Sequence, residues 1–156
     1  MGCFALPWGL TLNLSEHFTL DELTISDYAV RHGIDNTPPA DILDNLKRVA
    51  AVLELVRAAV GKPVMVSSGY RSPEVNVGVG GTGNSAHCHG LAADIKVPGM
   101  RPYDVCQAIR KSGIGYDQLI LEYGAWTHIG LPGMGKGPRN MDLTYRTGKP
   151  VARGIV

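Results

Sequence analysis

Six apolar positions, Ile42, Leu46, Val49, Leu53, Val56 and Val60, recur at alternating steps of four and three. That spacing places them on one face of an α-helix, so the segment predicts a long amphipathic helix with a single buried side. Pro38 and Pro39 suit its first turn, Asp41 lies near its positive end, Arg57 near its negative end, and Gly61 is placed to stop it. This helix is scaffold and carries no chemistry.

Upstream, Thr19 and Glu22 have capping-box spacing, which predicts a short helix over residues 20–25, and a second short helix is expected around 28–32 before the turn marked by Gly33 and Asn36. Downstream the period changes. Residues 64–68 read as a strand that breaks into the loop Gly69-Tyr70-Arg71-Ser72-Pro73, and a glycine-rich stretch follows at 78–83. Strands are expected over 91–97, 118–123 and 126–131, a helix over 102–112 stopped by Gly113, and a tight turn at Gly124-Ala125. Helices followed by short strands imply an α+β fold, with N-terminal helices packed on a small, mostly antiparallel sheet. One domain spanning 1–156 is expected, with 1–14 and the glycine- and proline-rich tail from 132 onward peripheral.

Composition narrows the function classes. The chain has 156 residues, 44% of them hydrophobic, enough for one core without disulfides. Fifteen basic against fourteen acidic residues leave no field to attract nucleic acid or an anionic membrane, so neither is expected as a partner, and a monomer is expected. Cys3, Cys88 and Cys106 form no CxxC pair. Pro7, Gly9 and Asn13 interrupt the start, where no export signal is recognised, and no run reaches transmembrane length. The expectation is synthesis in the cytoplasm and delivery to any external substrate by another agent.

The chemistry concentrates in two segments. In Ser85 to Ile95, SAHCHGLAADI, His87 is followed by a glycine turn at Gly90 and then by Asp94 within an apolar strand. An ionised carboxylate among packed apolar neighbours is costly unless a cation or donor meets it. In Trp126-Thr127-His128-Ile129-Gly130 a histidine alternates with apolar neighbours. His87, Asp94 and His128 together make a set of two imidazoles and one carboxylate, which leaves a fourth zinc position open, as catalytic rather than structural sites do. A lone buried histidine is more often a core residue, and Asp94 has the plain alternatives of capping a turn or pairing with Lys96. The convergence of all three is what favours one Zn2+ ion.

The pattern S-x-H-x-x-G-x-A-x-D followed by W-x-H resembles the zinc D-alanyl-D-alanine carboxypeptidase family, in particular its short phage and prophage members. The likeness runs through LSEHFTLDEL, GIDNTPP, SSGYRSPEVN, SAHCHGLAADI and YDQLILEYGAWTHIG. It implies the Hedgehog/DD-peptidase fold, the ligands His87, Asp94 and His128, and hydrolysis of peptidoglycan stem peptides, either at D-Ala-D-Ala or, endolysin-like, at L-Ala-D-Glu. It also implies that Arg71 binds a substrate carboxylate or the developing oxyanion. A surface pair between Arg71 and Glu74 is the plain alternative. Glu122 is the candidate proton acceptor, because it ends its strand opposite His128 across the hairpin. Many relatives instead place an acidic residue where this chain has Ala125. That difference keeps open a non-catalytic, zinc-stabilised wall-binding or virion module, and the missing export signal keeps open a cytoplasmic D,D-dipeptidase.

Ser85 is expected to donate to substrate or to hold the His87 loop, and Tyr70, Asn76 and His89 to shape the pocket. Cys88 alternates with His87 and is expected to point away from the metal; His17 and His32 are expected to be surface or packing residues. The run VGVGGTGNS lacks the lysine and following helix of a phosphate loop.

Overall fold

The computed structural model describes residues 11–156. Cys3 and the first ten residues of the expected peripheral start lie outside the described residues. The expected long helix forms as α2, Leu43–Val60, preceded by a 3-10 turn at Ala40–Ile42. Leu46, Val49, Leu53 and Val56 are its buried stripe, with Ile42 and Val60 at the edges. α4, Pro102–Ser112, buries Val105, Cys106 and Ile109 and packs on α2. Both helices cover one face of a sheet of β1 (Met65–Ser68), β2 (Ala92–Lys96), β3 (Gln118–Glu122), β4 (Trp126–Gly130), β5 (Met141–Tyr145) and β6 (Ala152–Arg153). The strands run in the order β1-β2-β4-β3-β5-β6, and every pairing is antiparallel except β3 with β5.

Strand alternation sorts the side chains into two faces. Ala93 and Ile95 of β2, Leu119 and Leu121 of β3 and Ile129 of β4 enter the core. Asp94, Ile120, Glu122, Trp126 and His128 therefore take the other face. A shift of one residue on either strand would exchange the two sets, so burial of the aliphatic set fixes the register that gathers the polar one.

Three elements differ from the sequence expectation. Residues 20–25 form successive turns rather than a helix, although the capping box itself is present: the Glu22 carboxylate accepts from Thr19 N–H at 2.9 Å, and Thr19 Oγ1 accepts from Glu22 N–H at 3.2 Å. The local bonds formed, but Asp27–His32 starts a separate helix, α1, capped by Ser26. Loop 69–73 leads into an unexpected short helix, α3, Pro73–Gly78, capped by Ser72 with Pro73 in its first turn. The tail is not peripheral, because β5 and β6 extend the sheet and bury Leu143, Thr144 and Ile155. No helix of the described residues is long and apolar enough to cross a membrane.

Candidate metal centre

Asp94 and His128 face each other across the β2–β4 pairing, where they are register partners. His87 comes from the 3-10 turn Ala86–His89, whose start is capped by Ser85 Oγ accepting from His87 N–H at 3.3 Å. Gly90 ends that turn with φ of 65°, and a Cβ there would collide with the Ile42 side chain, so only glycine lets the chain reverse this close to the start of α2. The turn is clamped to loop 69–71 from both sides. His87 Nδ1–H donates to the Gly69 carbonyl at 2.7 Å, and the His87 carbonyl accepts from Arg71 N–H at 3.2 Å. Gly69 is itself wedged against the Leu23 backbone, with no room for a side chain.

The bond to Gly69 fixes His87 Nδ1 as the protonated nitrogen, so in the neutral ring Nε2 turns its lone pair inward. His87 Nε2 lies 3.2 Å from His128 Nδ1 and 3.3 Å from Asp94 Oδ1, and His128 Nδ1 lies 2.9 Å from Asp94 Oδ1. All three residues are buried. Zinc bonds of 2.0–2.1 Å in tetrahedral geometry put donor atoms about 3.3 Å apart. The two imidazole nitrogens and the carboxylate oxygen thus already have the spacing of three corners of such a site, and the donor set fits the ion. Burial opposes the charge on Asp94, but the imidazoles of His128 and His87 beside it outweigh that effect and hold the carboxyl well below the ordinary range. The carboxylate is ready to bind a cation without first losing a proton.

Arg71 and Ser68 form the next layer. Arg71 Nη2 donates to Asp94 Oδ2 at 2.9 Å and Nε to Ser68 Oγ at 2.9 Å. An irregularity in the β1–β2 pairing brings Ser68, rather than Ser67, opposite Asp94. Asp94 therefore pairs with Arg71 and not with Lys96, and Arg71 not with Glu74. Its guanidinium holds a metal ligand while its remaining N–H groups border the cleft.

The centre opens into a cleft of about 590 Å³. One wall is the Val79–Ser85 segment, held by Asn76 Nδ2 donating to the Thr82 carbonyl at 2.7 Å. The floor is the sheet face, with Gln118, Ile120, Glu122, Trp126 and Tyr145. Glu122 Oε1 is 3.8 Å from His128 Nδ1, and Glu122 and Asp94 are the carboxylates of the lining. Burial, reinforced by the charge of Asp94, raises the carboxyl of Glu122 above its usual range. Ala125 sits exposed in the β3–β4 turn, outside the cleft.

Residues 16–130 match the model of the peptidase M15 family. The chain belongs to that family. Over 62 residues it is 40% identical to a zinc D-Ala-D-Ala carboxypeptidase of Streptomyces albus G, a segment that is 39% of this chain and 24% of the relative. This M15 chain thus has the α+β fold of a zinc-peptidase family and, among the described residues, one zinc site with the clustered ligands expected of a metal-dependent peptidase.

The other sequence candidates fall in different places. Ser85 lines the cleft and caps the His87 turn; Asn76 supports the wall from behind. Tyr70 is packed in the core, its N–H bonded to the Leu23 carbonyl, and does not line the cleft. His89 points to the outside of its turn, where its carbonyl accepts from Asn45 at 2.9 Å. Cys88 is half-buried and absent from the lining. His17 is bonded to Glu54 at 2.8 Å, and His32 stacks on Tyr28. Sequence reasoning missed Tyr145, Gln118 and the Val79–Asn84 wall. Tyr145 was within reach, since Met141–Tyr145 is rich in strand formers bounded by Asn140 and Gly148.

Proposed function

We propose that this chain is a zinc peptidase that hydrolyses the stem peptides of bacterial cell walls, at the D-Ala-D-Ala or the L-Ala-D-Glu bond, in an endolysin-like role reached by phage- or holin-type delivery. The observation that carries this reading is one buried cluster of three donors, at zinc spacing, with a second carboxylate, Glu122, beside it in the same cleft. The similarity to a zinc D-Ala-D-Ala carboxypeptidase supports the substrate class.

Zinc in this site supplies Lewis acidity, polarising the scissile carbonyl and acidifying water. The chain supplies the rest. Glu122 accepts the proton of the attacking water and delivers it to the departing amine, and its raised affinity for a proton suits that return step. Arg71 fixes the orientation of Asp94 through one N–H and offers its free N–H groups to a substrate carbonyl or carboxylate. Ser85 keeps the His87 turn in place beside the bound peptide.

Mass analysis of purified muropeptides after incubation with zinc-loaded protein tests the reading. New fragments are expected, lost in EDTA and restored by zinc. Intact muropeptides at full zinc occupancy would overturn it. Arg71→Ala is expected to weaken zinc binding by about 10–100-fold, since outer-layer partners of metal ligands have effects of that size. Competition with a chromogenic chelator measures this, and unchanged affinity would remove Arg71 from the support of Asp94.

A further inference from the structure

The hairpin between β3 and β4 turns at Tyr123 and Gly124, both with left-handed backbone, φ of 54° and 62°, closed by Ala125 N–H donating to the Glu122 carbonyl at 2.9 Å. Turns of this hand favour Asn or Asp at the first of these positions, and a bulky aromatic there is strained. Strain of this kind persists where the surroundings hold it, and it clusters at ligand sites. Here the residue is held by Tyr123 N–H donating to the Tyr145 carbonyl at 2.9 Å. The outcome is an aromatic group at one end of the metal cleft. The Tyr123 ring lies 5.6 Å from that of Trp126 and 6.5 Å from that of Tyr145, all three line the cleft, and Tyr123 is 50% exposed.

Besides Glu122, which pairs with Trp126 and Tyr145, the cleft also carries the neutral hydrogen-bonding side chains of Thr82, Asn84 and Ser85. Aromatic faces beside uncharged donors and acceptors suit a ring that is apolar on its C–H face and rich in hydroxyl and amide groups at its edge. A pyranose has that character.

We infer that Tyr123, Trp126 and Tyr145 form a saccharide subsite that seats the N-acetylmuramyl ring from which the stem peptide hangs. The inference rests on the stem-peptide reading and deepens it, because the geometry selects a bond. Trp126 is two residues from the ligand His128 on one strand, a same-face step of about 7 Å. In the stem, a lactyl group and one alanine separate the sugar from the L-Ala carbonyl, a span of about 7 Å for two extended units. In an extended stem the D-Ala-D-Ala carbonyl lies about 17 Å from the sugar. With the stem extended, a sugar on the aromatic group therefore brings the L-Ala-D-Glu bond to the metal and leaves D-Ala-D-Ala beyond it.

Binding of N-acetylmuramyl-L-alanine and of lactyl-L-alanine to the zinc-loaded protein tests the subsite without turnover, since the two ligands differ only in the sugar and neither contains a scissile bond. Titration calorimetry is expected to give about tenfold tighter binding for the muramyl ligand, the gain of one good aromatic contact. Tyr123→Asn keeps a residue that the turn favours and removes the ring. It is expected to reduce the ratio of the two affinities severalfold and to raise the melting temperature by about 1–3 °C as strain is relieved. Equal affinities in the unmodified protein, or a sugar preference undiminished in Tyr123→Asn, overturn the proposal. Failure to cleave muropeptides is a separate readout that bears on the peptidase reading, because these affinities are measured whether or not the protein turns over.

Discussion

His87→Ala is expected to leave a folded protein that no longer retains zinc, with hydrolysis lower by about a thousandfold or more. The ring it removes presents one of the three donors, and the remaining pair, Asp94 and His128, cannot enclose an ion alone. The core survives because it lies on the opposite face of the sheet, under α2 and α4. Loss of the bond from Nδ1 to the Gly69 carbonyl costs about 1–2 kcal/mol. Metal linkage is the more telling readout. An ion present at about a thousand times its dissociation constant adds about 4 kcal/mol of stability. The unmodified protein should therefore melt higher in zinc than in EDTA, whereas His87→Ala should melt at the same temperature in both. Elemental analysis showing close to one zinc per variant chain after desalting would remove His87 from the ligand set.

Glu122→Gln is expected to lower kcat by about 10²–10⁴-fold with zinc content and KM nearly unchanged, the pattern of a group acting on the proton in the transition state. The substitution keeps shape and removes only the basic oxygen. No neighbour can take over the task. Asp94, the other carboxylate of the lining, is occupied by His128, His87 and Arg71, and the Ala125 position lies in the turn outside the cleft. The placement of Ala125 also explains why an acidic residue there is not required by this cleft: Glu122, at the end of β3, already projects beside His128. Turnover equal to that of the unmodified protein at full zinc occupancy would exclude Glu122 as the proton acceptor.

The helical scaffold and the central strands are legible in the sequence because their signals are local. The stripe from Ile42 to Val60 states its own period, Pro102 and Gly113 bracket α4, and the β3–β4 hairpin follows from two runs of strand formers separated by a glycine turn. The ligand triad is legible for a related reason: each histidine or carboxylate stands out against apolar or small neighbours, and three such conflicts are resolved by one cation. What fails locally is instructive. The 20–25 capping box forms its bonds yet makes only turns although Leu23 is buried, since so short a segment does not offset the cost of nucleating a helix. The short α3 has caps at its start but too few residues to show a period.

From its sequence alone this chain determined which residues carry charge, which bury and where helices start and stop, and so which three side chains could share a metal. Only the tertiary structure decided that Arg71 serves Asp94, that Tyr70 belongs to the core and His89 to the outside, and that Tyr145 returns on a parallel strand to complete the cleft. The physical reason is range. Period and capping act within a few residues, whereas sheet order and the direction in which a loop side chain points depend on partners tens of residues away, chosen by packing that no local pattern encodes.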